Sequence, residues 1–114
     1  MKEGAVVLTP LPQSDGKIKN RPAIILRAMP LFGDSLVCGV STQVHPPAPD
    51  FDELITSQDD DFRASGLIAD SLIRLGFLAV LPSKNILGSI GAISPARHKR
   101  LLAKLSAYLI APFK

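Results

Sequence analysis

Tryptophan is absent from this 114-residue chain, and Tyr108 is its one tyrosine. A protein that holds single-stranded nucleic acid without sequence preference stacks successive bases on aromatic rings. Five phenylalanines and a tyrosine make a thin platform for that role. Cysteine is as scarce. Cys38 stands alone in an apolar run, so no intrachain disulfide and no cysteine-based metal site can form. It reads as a small buried core residue in a reducing, cytoplasmic compartment. Long apolar runs are also missing. Residues 66–81 are the most apolar region, but Asp70 and Arg74 break it and it is too short to span a bilayer. No apolar stretch of signal-peptide type follows Met1. A soluble protein with no membrane partner is expected.

Strong charge is missing as well. The formal net charge is +3 with a pI near 9.3, which suits a polyanionic partner without requiring one. Asp59, Asp60 and Asp61 stand in a row. They lack the alternating oxygen ligands, the glycine and the distal glutamate of a calcium loop. Residues 56–63 therefore read as a solvated loop, and no metal or cofactor is expected.

What the chain does have is proline, ten of them and scattered, which punctuates many short elements. Its length fits one domain spanning residues 1–114. Residues 5–8 form a β-rich run ended by Pro10 and Pro12. Residues 13–16 are a turn signal, and 17–20 extend it as a polar loop. Residues 21–27 read as a second strand with Pro22 at its start. Residues 35–43 read as a third strand, polar at its end. Residues 45–50 hold three prolines and read as a polyproline-like loop. A short edge strand follows over 51–55. Residues 67–74 and 77–81 read as two strands, with Gly76 as a bulge or bend between them. Residues 85–93 fit a short strand or a turn of helix.

The clearest helix starts after Ser94, a good N-cap, with Pro95 at the first helical position. Leu101, Leu102, Leu105, Tyr108 and Leu109 share one face at three- and four-residue spacing. Arg97, Lys99, Arg100 and Lys104 fall mostly elsewhere on the wheel, and His98 among them reads as solvated. Short strands followed by one terminal helix indicate a mainly β, α+β barrel.

Three segments, taken in order, resemble one family. The first is Gly4-Ala-Val-Val-Leu-Thr-Pro10 through Ser14-Asp-Gly16 to Lys19-Asn-Arg-Pro-Ala-Ile-Ile-Leu26. The second is Gly39-Val-Ser-Thr-Gln43. The third is Gly66-Leu-Ile-Ala-Asp-Ser-Leu-Ile-Arg74, followed by Ile86-Leu-Gly-Ser-Ile-Gly-Ala-Ile-Ser94. Together they are similar to the MazF/PemK toxins of type II toxin–antitoxin pairs. The resemblance implies an SH3-like β-barrel of the CcdB/MazF/PemK type with a C-terminal amphipathic helix, usually homodimeric. It implies a metal-independent endoribonuclease (an mRNA interferase) acting on single-stranded RNA to inhibit growth. It also implies a cognate antitoxin whose extended tail covers the active groove.

Metal-free RNA cleavage needs a base for the 2′-hydroxyl, a cation or donor for the phosphorane oxygens, and an acid for the leaving 5′-oxygen. The products carry a 2′,3′-cyclic phosphate and a 5′-hydroxyl. The resemblance puts Arg21 at the catalytic arginine, and its planar fork of donors matches phosphate oxygens. Ser41 matches a Ser/Thr position of the family site, and its hydroxyl is a donor to phosphate. Its neighbour Thr42 is expected to point to the opposite face of the strand. Arg74 aligns with an arginine that some relatives use in catalysis, with structural pairing to Asp70 as the other reading. Those relatives carry aspartate where this chain has Gly76. Lys17, Lys19 and Arg27 add local positive charge near Arg21. Asp15 shapes the loop before it, and Thr42, Gln43 and His45 complete the candidate substrate-binding set, His45 also having a suitable pKa for proton transfer. Two other readings stay open. One is a CcdB-like toxin that binds DNA gyrase without cutting, although residues 111–114 hold no recognisable version of its binding end. The other is a catalytically silent member that binds an antitoxin only.

Overall fold

The computed structural model describes residues 2–12, 15–43 and 51–113. His45, the proline-rich stretch after it and part of the 13–16 turn signal lie outside the described residues. The elements run β1 (Ala5–Pro12), β2 (Ile18–Ala28), β3 (Ser35–Ser41), β4 (Glu53–Ile55), α1 (Phe62–Ser65), β5 (Ser71–Leu81), a 3-10 turn (Ser83–Asn85), β6 (Gly88–Ala92) and α2 (Pro95–Leu109). The strands form one sheet in the order β4-β5-β3-β2-β1-β6, each neighbouring pair antiparallel. The sheet curls into a half-barrel, in agreement with the mainly β expectation.

Apolar side chains go to both faces of its centre. Ala23, Ile24, Ile25 and Leu26 are consecutive on β2 and all fully buried. Val6, Ile24, Leu26, Cys38, Val40, Ile73 and Leu75 meet Leu101 and Leu105 of α2 in one cluster. Ala5, Val7, Leu11, Ala23, Ile25 and Val37 form a second, with Phe77, Ala79 and Ile86 packed on it. The alternation of side chains along a strand accounts for this partition. Cys38 is buried as expected, and burial pushes its thiol up to about 12.

Several strands depart from the sequence reading, for local reasons. β2 begins at Ile18, so the polar 17–20 segment belongs largely to the hairpin with β1. β1 continues through Pro10 and Pro12, opposite Asn20 and Ile18. β6 flanks β1 only over Ala5–Leu8, so the missing proline N–H groups break no ladder on that edge. The two strands expected around Gly76 are one strand, β5, with a register shift. Gly39 faces Arg74, but Cys38 faces Leu78. Residues 67–70 are a turn rather than strand.

The 56–63 segment is not simply solvated, and Arg97 does not face water. Arg97 is 5% exposed and Asp61 7%. Arg97 Nε and Nη2 donate to the two Asp61 oxygens at 2.8 and 3.1 Å, and Nη1 donates to Glu53 at 2.9 Å. Arg100 and Lys104 also close on Glu53, each at 3.0 Å. Burial pushes the Glu53 and Asp61 carboxyls up. The donors of Arg100 and Lys104 on Glu53, and of Arg97 and the Ser94 amide on Asp61, outweigh that, so both lie below the usual carboxylate range. This network ties α2 to β4 and to the start of α1. Ser94 caps α2 as expected, accepting from the Arg97 amide at 3.1 Å.

His98 is also not simply solvated. Its Nε2 donates to the Leu26 carbonyl at 2.8 Å. Leu26 lies at a register shift between β2 and β3, which leaves that carbonyl available. Leu101 and Leu105 are core residues, but Tyr108 and Leu109 are each 66% exposed, so the apolar stripe of α2 outruns the core. Tyr108 still meets Phe51, ring centroids 4.9 Å apart.

Candidate active site

Strand alternation on the β1–β3 hairpins carries Leu11, Arg21 and Ser41 to the face of the second apolar cluster. Arg21 lies opposite Thr9 across the β1–β2 ladder, two residues before the buried Ala23. At the end of this face is a cavity of about 230 Å³, lined by Leu11, Pro12, Arg21, Gly39, Ser41 and Arg74 together with Val40, Thr42, Gln43 and Phe77. It is smaller than the roughly 300–1,000 Å³ clefts that enclose drug-sized ligands.

Arg21 is the most unusual group in it. Its Nε is buried and has no hydrogen-bond partner among the described residues. Buried donors are nearly always paired, so this one is unusual; being enclosed it is not itself open to the cavity, whose lining Arg21 joins as a residue. Ser41 Oγ accepts from the Gln43 amide at 3.1 Å, which turns its own proton free to donate elsewhere. Thr42 was expected on the opposite face from Ser41, yet it lines the same cavity. β3 ends at Ser41 and the chain bends at 42–43, so alternation no longer applies.

Arg74 is exposed and lines the cavity rather than pairing with Asp70. Asp70 accepts instead from the Ser57 amide at 2.9 Å. The Arg74 guanidinium carbon lies 5.9 Å from the Phe77 ring centroid. Two arginines, two hydroxyls and an amide thus surround a space whose lining holds no carboxylate among the described residues. Guanidinium forks and hydroxyl donors are the groups that match the oxygens of an anion.

Asp15, Lys17 and Lys19 do not line it. They are exposed on the β1–β2 hairpin, where Asp15 accepts from the Lys17 amide at 2.9 Å and so shapes the turn. Arg27 is at the other end of β2, paired with Glu3 at 3.1 Å. Among the described residues no three His, Cys, Asp or Glu side chains are grouped to hold a metal. No helix among them is long and apolar enough to cross a membrane.

Residues 2–109 match the family described as PemK-like, MazF-like toxin of type II toxin–antitoxin system. The chain belongs to this family. Its fold is similar to that of Mycobacterium tuberculosis toxin MazF-mt6, with a TM-score of 0.69 at 16% identity over 96% of this chain and 99% of the other. A mycobacterial endoribonuclease in complex with its cognate antitoxin gives 0.69 at 14% identity, over 100% and 99%. A second mycobacterial endoribonuclease gives 0.67 at 14%, over 100% and 95%. At these identities the likeness is one of fold. No match was found among curated proteins.

The sequence of this MazF-like chain did not single out Leu11, Pro12, Gly39 or Phe77 as cavity residues. Gly39 held the available signal, a glycine inside an apolar strand, which marks a close approach. A Cβ there would lie 3.3 Å from the Phe77 ring.

Proposed function

We propose that this MazF-like toxin is a metal-independent endoribonuclease that cuts single-stranded RNA within the Arg21–Ser41–Arg74 cavity. The observation that carries the reading is the cavity that gathers Arg21, Arg74, Ser41 and Thr42. A phosphodiester supplies acceptor oxygens for the two arginines that line the cavity. The 2′-oxygen attacks phosphorus, the P–O5′ bond breaks, and the products are a 2′,3′-cyclic phosphate and a 5′-hydroxyl. Charge grows on the non-bridging oxygens during attack, and fixed guanidinium donors stabilise it most at that moment. Ser41 donates its free proton to the same group. Thr42 and Gln43 contact the adjoining nucleotide. Neither arginine can act as base, since guanidinium stays protonated. The 2′-hydroxyl proton passes to solvent, and the leaving 5′-oxygen takes its proton from solvent. Lys17 and Lys19 on the exposed hairpin draw in the RNA backbone beyond the cavity.

The partners in this reading are a cognate antitoxin, supported by the fold neighbour in complex with its own, and a second copy of this chain. The test is incubation of the protein and of Arg21→Ala with a long single-stranded RNA in EDTA. The wild type should leave cyclic-phosphate ends, and the variant should be slower by about a hundredfold or more, as for loss of one donor to a developing oxyanion. RNA left intact by the wild type across a broad range of sequences would retire the nuclease reading.

A further inference from the structure

Arg74 and Phe77 are three residues apart on β5, a spacing that places side chains on opposite faces of a regular strand. The register of β5 shows why they are not. Gly39 faces Arg74 and Cys38 faces Leu78, so one step on β3 spans four on β5. Directly opposed residues share a face. Arg74 therefore shares the cavity face with Gly39, and Leu78 the other face with Cys38. Phe77, next to Leu78, returns to the cavity face. The irregularity at 75–77, which includes Gly76, changes the parity of the strand and brings the two side chains together. Gly39 completes the arrangement, because its missing side chain leaves room for the Phe77 ring against β3.

We propose that Phe77 is a positioning residue for Arg74, holding the guanidinium by its ring face so that it points into the cavity. The inference rests on the nuclease reading for its effect on rate. Three facts support it. The guanidinium carbon lies 5.9 Å from the ring centroid, inside the range at which a cation is attracted to an aromatic face. Among the described residues Arg74 has no carboxylate within ion-pair distance, so the ring is the contact that restrains it. Phe77 itself is anchored, since it packs on the second apolar cluster. A long cationic side chain with no restraint samples many rotamers. Holding one of them lowers the entropy lost when it meets the transition state. Phe77 acts through Arg74 and needs no contact with substrate.

The test is a double-mutant cycle of Phe77→Leu and Arg74→Ala on a short RNA spanning a site the wild type cuts. Leucine keeps apolar bulk in the cluster, and thermal melting checks that the fold is retained. Phe77→Leu should lower kcat about two- to fivefold, the size of an exposed cation–π contact, with KM little changed. Phe77→Tyr should restore most of that rate. In the Arg74→Ala background Phe77→Leu should have no further effect. An equal loss in both backgrounds overturns the inference while leaving the nuclease reading intact. A readout that needs no activity is the NMR shift of the Arg74 side-chain protons, displaced by the ring current in the wild type and relaxed in Phe77→Leu. Arg74 signals unmoved by that substitution overturn the inference on their own. If the wild type cuts no RNA, the nuclease reading falls and with it the claimed effect on rate.

Discussion

Arg21 sets function against stability at a single residue. An unpaired buried donor costs about 1–3 kcal/mol. Removing it while keeping its apolar stem removes that cost, so Arg21→Met should match or exceed the wild type in its urea midpoint while losing RNA cutting. A midpoint well below the wild type would mean that Arg21 supports the fold instead. The resemblance of Lys19-Asn-Arg-Pro and its flanks to the family made Arg21 stand out in the sequence. Ser41 was legible in the same way, as the Ser/Thr position of the Gly39–Gln43 segment. Phe77 was not legible. Read by alternation alone it lies on the wrong side of β5, and only the register with β3 shows otherwise.

Among the elements, α2 shows how much a helical wheel can reveal. Its start was readable because a capping serine followed by proline is a local signal, and the cap is present. The wheel put Arg97 off the apolar face without showing its partners, because β4 and α1 bring Glu53 and Asp61 to it. These acids are far away in sequence and meet it only in the folded chain. The network makes a pH prediction. Both carboxyls have folded values below their ordinary ones, so the stability they contribute is full above the ordinary carboxylate range. It is lost as pH falls through the lowered values. The melting temperature should be level from about pH 6 to 8 and fall steeply below about pH 4. Arg97→Met leaves two buried carboxylates short of a partner and should cost about 3–5 kcal/mol by urea titration at pH 7. It should also blunt the acid dependence. A variant as stable as the wild type would show that the network contributes no net stability.

For the molecule as a whole, one edge of the half-barrel is packed by a backbone contact. Gly66, at φ +75°, has Ile90 backbone where a Cβ would be, and Gly91 has the backbone of Ala64 and Ser65. The short α1 thus lies directly on β6, across the sheet from β4, with only glycines able to fit. The molecular surface still keeps large apolar groups in water. Tyr108, Leu109, Ile110 and Phe113 at the end of α2 are between 66% and 101% exposed. Several large apolar side chains left in water near one chain end are compatible with the proposed association of two copies. Sedimentation at micromolar concentration should give twice the 12.2 kDa chain mass. A mass of one chain would count against the dimer.

The sequence by itself determined the class of fold, the capped terminal helix, the buried cysteine and the family, because each is written in local pattern or in ordered motifs. Tertiary structure decided which charges are buried, which face Phe77 takes and which candidates share a cavity. The physical reason is the same in each case. Alternation and helical spacing hold only within an unbroken element, whereas a bulge, a bend after Ser41 or an ion pair between distant segments depends on what the neighbouring strand does. Arg21, Ser41, Thr42, Gln43 and Arg74 came together because β2, β3 and β5 end their common face at one point. Asp15, Lys17 and Lys19 stayed outside because the hairpin carries them past it.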